Sequence, residues 1–157
     1  MNTKHETDDW TTLELSPEQT VYTLDHLQCG SSYHIYLLAH NRVGNGSPSP
    51  ILTVNTKGGP PLLPKDSELI SINATTLQLN LYNWPDGGCP ILQFSIQYKV
   101  YGAKKWNLIS SSILEEKIII HNLSPATWYQ LKITAENDAG KIIGHFNCAT
   151  TTLGGGK

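Results

Sequence analysis

Polar and apolar residues alternate with a period of two along several short stretches of this chain, the pattern of a strand with one face buried and the other in water. Leu77, Leu79 and Leu81 are separated by Gln78 and Asn80, and Phe94, Ile96, Tyr98 and Val100 by Ser95, Gln97 and Lys99. The same rhythm returns at Ile118 and Ile120, at Tyr129, Leu131, Ile133 and Ala135, and earlier at Tyr33, Ile35, Leu37 and Ala39. Turn-forming clusters lie between these runs, at Trp84-Pro85-Asp86-Gly87-Gly88, Asn122-Leu123-Ser124-Pro125 and Asn137-Asp138-Ala139-Gly140. Their spacing is that of an all-β sandwich.

The alternating runs also repeat one another. Leu27, Tyr33, Ala39, Asn41 and Gly44 recur, 96 positions on, as Leu123, Tyr129, Ala135, Asn137 and Gly140. The same ungapped register pairs Trp10 with Trp106, Ser16 with Ser112, Thr56 with Thr152, and Gly58-Gly59 with Gly154-Gly155. A period near one hundred residues marks tandem domains, since solenoid repeats are shorter. The division predicted is a partial module over 1–57, lacking its first three strands, a Gly/Pro linker over 58–61, a complete seven-stranded module over 62–153, and a linker or tail over 154–157. The partial unit would leave an open sheet edge and be marginal in stability. The mixture of glycine and proline in Thr56-Lys57-Gly58-Gly59-Pro60-Pro61 predicts limited bending at the junction.

Leu123-Ser124-Pro125-Ala126-Thr127-Trp128-Tyr129 has the form of a tyrosine corner: a leucine plugs the core, a proline shapes the crossing between sheets, and a buried phenol bonds the backbone upstream. Tyr33 holds the same place in the first unit.

With such a corner, an alternating strand after it, and an A-x-N-x-x-G exit at Ala39–Gly44 and Ala135–Gly140, the chain resembles the fibronectin type III family. The resemblance implies an immunoglobulin-like β-sandwich. Strands are then expected near 68–73, 75–82, 92–101, 105–110, 116–122, 128–136 and 145–152. Leu81 takes the place of the family's usual core tryptophan, with Trp84 three residues on. Trp84-Pro-Asp-Gly-Gly-Cys-Pro-Ile91 and Leu27-Gln-Cys-Gly-Ser-Ser-Tyr33 in adjacent modules further resemble the membrane-proximal tandem of the Down syndrome cell adhesion molecule (Dscam) family.

In that topology the loop carrying Cys89 and the start of the last strand, where Cys148 is expected, share one end of the sandwich. A bridge between them would stabilise by roughly 4 kcal/mol in the chain-entropy model and would imply an oxidising compartment. Two buried thiols are the alternative. Cys29 has no evident mate: either its partner lies outside these residues or it is an unpaired thiol. Sequons occur at Asn45, Asn73 and Asn122. Asn73, in a turn, is the best candidate for a glycan, because Pro48 and Pro125 directly follow the other two and stiffen the backbone there.

Composition narrows the function. The chain has 157 residues, a formal charge of −2, and a longest basic run of Lys104-Lys105, so nothing directs it to nucleic acid. No apolar run reaches the roughly 18–20 residues of a membrane span. Neither zinc-ligand spacing nor a hydrolase or phosphate-loop motif occurs, so no catalytic residue, cofactor, metal or small-molecule substrate is expected. Tyr36 and Leu38, alternating with His34 and His40, form a candidate contact surface; scattered surface hydrophobes are the plainer reading.

The resemblance implies a non-catalytic ectodomain segment of a single-pass cell-surface receptor. It would act as spacer and protein-contact module in homophilic neuronal recognition, axon guidance and dendrite self-avoidance, with partners being the same receptor on another cell through other domains. The alternative is an intracellular structural array of a cytoskeletal or muscle protein, whose hallmark would be reduced cysteines.

Overall fold

Antiparallel ladders make up both units of this computed structural model, which describes residues 2–5 and 9–153. The tail expected over 154–157 lies outside the described residues. The chain divides into two compact units, Met1–Gly58 and Gly59–Lys157.

The second unit is a two-sheet sandwich. It opens with one helical turn, α1 (Asp66–Leu69), followed by β5 (Ile70–Ile72) and β6 (Leu77–Asn80). A 3-10 turn over Leu81–Asn83 comes next, then β7 (Ile91–Val100), β8 (Asn107–Ile113), β9 (Lys117–Ile120), β10 (Trp128–Asn137) and β11 (Gly140–Ala149). One sheet runs β5-β6-β9, the other β11-β10-β7-β8. Along β10 the burial alternates without a break, Tyr129, Leu131, Ile133 and Ala135 facing in. These side chains meet Leu77, Leu79, Phe94 and Ile96 in a single core. Burying each such side chain contributes on the order of 2 kcal/mol.

Three features depart from the sequence expectation. The strand expected over 75–82 stops at Asn80, because the 3-10 turn over Leu81–Asn83 breaks the extended backbone there, and Trp84, whose N–H caps that turn on Leu81 O, is buried. Trp84 is 4% exposed, with its ring edge-on to Phe94 at 5.6 Å and to Phe146 at 6.1 Å. Leu81 and Trp84 are therefore both core residues. The last strand begins at Gly140 rather than 145, directly after the Asn137–Gly140 hairpin. Finally, the Gly/Pro segment, expected to bend only to a limited extent, is partly fastened to the second unit by partners that the sequence did not point to. Gly59 N–H donates to Gly87 O at 3.0 Å, Leu62 N–H donates to Pro85 O at 3.0 Å, and Pro61 is fully buried. The approach is so close that a Cβ on Gly87, at φ +72°, would stand 2.1 Å from the Pro60 carbonyl oxygen.

The first unit consists of β1 (Asn2–His5), β2 (Thr11–Thr12), β3 (Ser32–Tyr36) and β4 (Leu52–Asn55), in one sheet ordered β2-β1-β3-β4. Its order matches that of the second unit's four-stranded sheet. At the 96-residue offset β3 falls on β10, β2 on the start of β8, and β1 on residues 98–101 at the end of β7. The sequence showed no alternation at 2–5, yet these residues pair with β3, Lys4 opposite His34. The counterpart of β9, residues 21–24, forms no strand.

Candidate contact surface

Two corners are built by identical hydrogen bonds. The Tyr129 hydroxyl accepts the Ser124 N–H at 2.9 Å, and the Tyr33 hydroxyl accepts the Gln28 N–H at 2.8 Å, five residues upstream in each case. A threonine on the neighbouring chain segment completes each corner. Thr150 Oγ1 donates to Ser124 O at 2.6 Å and accepts Thr127 N–H at 3.0 Å; Thr56 Oγ1 donates to Gln28 O at 2.6 Å and accepts Ser31 N–H at 2.8 Å. Thr56 is thus the structural equivalent of Thr150. The ungapped register had paired it with Thr152, but the β3–β4 connection is two residues longer than the β10–β11 hairpin.

The A-x-N-x-x-G exit is also a local device. Asn137 Oδ1 accepts the N–H groups of Ala139 and Gly140 at 2.9 and 3.1 Å, and Asn41 Oδ1 accepts those of Val43 and Gly44 at 2.9 and 3.3 Å. Gly140 at φ +150° and Gly44 at φ +153° occupy backbone that only glycine enters readily. The other end of Asn137 reaches further: its Nδ2 donates to the carbonyls of Gly59, Asp86 and Cys89 at 2.9, 2.9 and 3.2 Å. One buried amide thereby ties the entering chain and the 86–89 loop to the hairpin. Sequence reasoning found the motif and missed these three bonds.

That tie also explains the cysteines. Cys89 lies beside Asn137, at the hairpin end of β10, whereas Cys148 pairs across from Tyr129 at the other end. Eight residues of strand separate the two positions, about 26 Å at 3.3 Å per residue. A disulfide requires Cα atoms within about 7 Å. The expected Cys89–Cys148 bridge is accordingly not formed: Cys148 is a free, buried thiol, and Cys89 is disulfide-bonded elsewhere. Placing the start of the last strand at 145 had put Cys148 at the wrong end. Burial, reinforced by nearby Asp66, pushes the Cys148 thiol up to about 11. In the first unit Cys29, next to the corner, is disulfide-bonded and not a thiol.

Tyr36 and Leu38 are both half-buried. Tyr36 ends β3 with its ring edge-on to Trp10 at 4.9 Å, and Leu38 follows the strand and lines a groove of about 530 Å³ with Leu13, Leu15, Pro17 and Leu37. His34 bonds Thr53 Oγ1 at 3.0 Å, and His40 Nε2 lies 3.4 Å from Glu14 Oε2. The sequons at Asn45, Asn73 and Asn122 are all exposed. Among the described residues no group of His, Cys, Asp and Glu is arranged to hold a metal ion, and no helix is long and apolar enough to cross a membrane.

Antiparallel sheets of three and four strands, closed by a corner tyrosine and an Asn-Gly hairpin, define a fibronectin type III sandwich. A two-domain fibronectin type III segment of chicken tenascin has the same fold, with a TM-score of 0.53 at 16% identity over 95% of this chain and 82% of that one. The model of the DSCAM/DSCAML C-terminal Fn3-like domain matches residues 72–157, and the chain belongs to that family. It is 36% identical over 98% of its length to the cell adhesion molecule Dscam1 of Drosophila melanogaster, and 40% identical over 91% to Dscam2 of the same organism. Human cell adhesion molecule DSCAM is 38% identical over 94% of the chain. The chain spans only 7–8% of the length of these relatives.

Proposed function

We propose that this chain is a non-catalytic segment of the extracellular part of a single-pass adhesion receptor, serving as spacer and protein-contact module in homophilic neuronal recognition, with roles in axon guidance and dendrite self-avoidance. The observation that carries the reading is how the buried polar groups of the second unit are used. Asn137, Tyr129 and Thr150 all close the fold upon itself. A solid sandwich of this kind leaves its outer surface to act, and gives its parent length and spacing. The relatives are named as cell adhesion molecules, and disulfide-bonded Cys89 is at home in an oxidising compartment. Tyr36 and Leu38 form part of the contact surface in this reading, and recognition of the same receptor on another cell runs mainly through domains outside this stretch.

Aggregation of cells displaying the full-length receptor tests it. Replacing residues 62–153 with an unrelated fibronectin type III module of equal length is expected to preserve aggregation, and deleting them to weaken it by shortening reach. Loss of aggregation on the equal-length exchange would contradict a spacer role.

A further inference from the structure

The turn between β5 and β6 holds Asn73-Ala74-Thr75 out in solvent, with Asn73 and Thr75 both exposed. Asn73 Oδ1 accepts the N–H groups of Thr75 and Thr76 at 3.0 and 2.8 Å. Holding the carboxamide oxygen toward the backbone turns Nδ2 outward, where it has no hydrogen-bond partner among the described residues. The turn itself is secured from outside the sequon: Asn73 N–H donates to Thr76 O at 3.1 Å, Leu123 N–H to Thr75 O at 2.9 Å, and Thr151 N–H to Asn73 O at 3.2 Å. A substituent on Nδ2 therefore disturbs no contact of the fold.

The other two sequons differ in what surrounds them. Asn122 sits at φ +59° and leads into the corner, where Leu123 is buried in the core and Ser124 N–H donates to the Tyr129 hydroxyl. Pro125 comes next and removes the extended freedom that a transferase needs in its acceptor. Asn45 bridges to His40, the Gly46 N–H beside it donates to Ala39 O at 2.8 Å, and Pro48 follows. Thr76-Leu77 after the Asn73 sequon imposes no such restriction, and a threonine occupies its third position.

We infer that Asn73, alone of the three, carries an N-linked glycan. The step is a glycosyl transfer from an oligosaccharide on a lipid pyrophosphate. Nδ2 attacks the anomeric carbon, the N–C bond forms as the C–O bond to pyrophosphate breaks, the pyrophosphate leaves with the bonding pair, and Nδ2 gives up one proton. The inference rests on the extracellular reading above. Because the Asn73 carbonyl is bonded to Thr151, where the chain leaves the last strand, the glycan keeps the exit pole of the sandwich solvated and directs protein contacts to other faces.

The full chain, directed into the secretory pathway of cultured cells by an added signal peptide, provides the test. After peptide N-glycosidase treatment of the secreted protein, peptide mapping is expected to find position 73 converted to aspartate, with Asn45 and Asn122 unchanged. N73Q and T75A should each remove the glycan's whole mass increment, and T75A keeps the asparagine and its turn. Secretion with Asn73 unmodified, or a glycan at Asn45 or Asn122, overturns the inference. Either result leaves the spacer reading to the aggregation assay, so the two fail separately.

Discussion

Residues 117–120 and their repeat counterparts 21–24 share a place in the period but not a conformation. In the second unit Ile118 and Ile120 belong to β9, which pairs with β6, Leu77 opposite Ile120. In the first unit the corresponding residues form no strand, and Val21 is 83% exposed. The corner bonds and the turn bonds to the asparagine Oδ1 just downstream are nevertheless the same in both units. Devices closed within a few residues form in either setting, while a strand needs a neighbouring strand and a core to face. Among the described residues of the first unit, Tyr33 is the one buried hydrophobic side chain, against a core that fills the second.

The comparison is sharpened most by core truncation. Leu131 and Ile35 are repeat counterparts, the first fully buried and the second partly so. Leu131→Ala is expected to lower unfolding free energy by about 3–4 kcal/mol in urea titrations, and Ile35→Ala by under about 1 kcal/mol. Similar losses at both positions would erase the distinction.

Cys148 gives a difference of pH. It faces Tyr129 as Val54 faces Tyr33, so the second unit alone has a titratable group there. Its thiol is raised from 9.0 to about 11 in the fold. The folded state then holds the proton more tightly than the unfolded state does. Its stabilising contribution is complete below pH 9 and is lost as pH climbs toward 11, on the order of 2–3 kcal/mol in all. Cys148→Val should flatten that part of the stability curve; an unchanged alkaline slope would show the thiol to be irrelevant.

Smaller again is the contrast between the two exit asparagines. Asn137→Ala removes the donor to three carbonyls as well as the turn, and should cost about 2 kcal/mol. Asn41→Ala, at an exposed position, should stay within roughly 0.5 kcal/mol. Equal effects would mean that the reach of Asn137 to the 86–89 loop contributes nothing.

Much of this architecture was legible in the chain. The alternation at 94–100 and 129–135 marks β7 and β10, and the corner tyrosines follow from a motif contained within seven residues. What the sequence concealed is non-local. Trp84 turns inward through a 3-10 turn that breaks the period of two, so Leu81 looked like its substitute. The Asn137–Gly140 motif looks in sequence like a turn ahead of a later strand, whereas the last strand starts at Gly140 itself, which moves Cys148 by the length of the sheet. Thr56 was matched to Thr152 because an ungapped register cannot show a loop two residues longer. The Gly/Pro segment gave no sign of its partners, Pro85, Gly87 and Asn137, because they lie far along the chain.

Amide hydrogen exchange along the intact chain tests the central contrast most directly, since protection reports which strands are held by a closed core. Slow exchange is expected through β6, β7, β9, β10 and β11, and exchange faster by orders of magnitude in β3 and β4. Equal protection of residues 32–36 and 128–137 would contradict the account, because corners and hairpins alone would then suffice to hold a sheet.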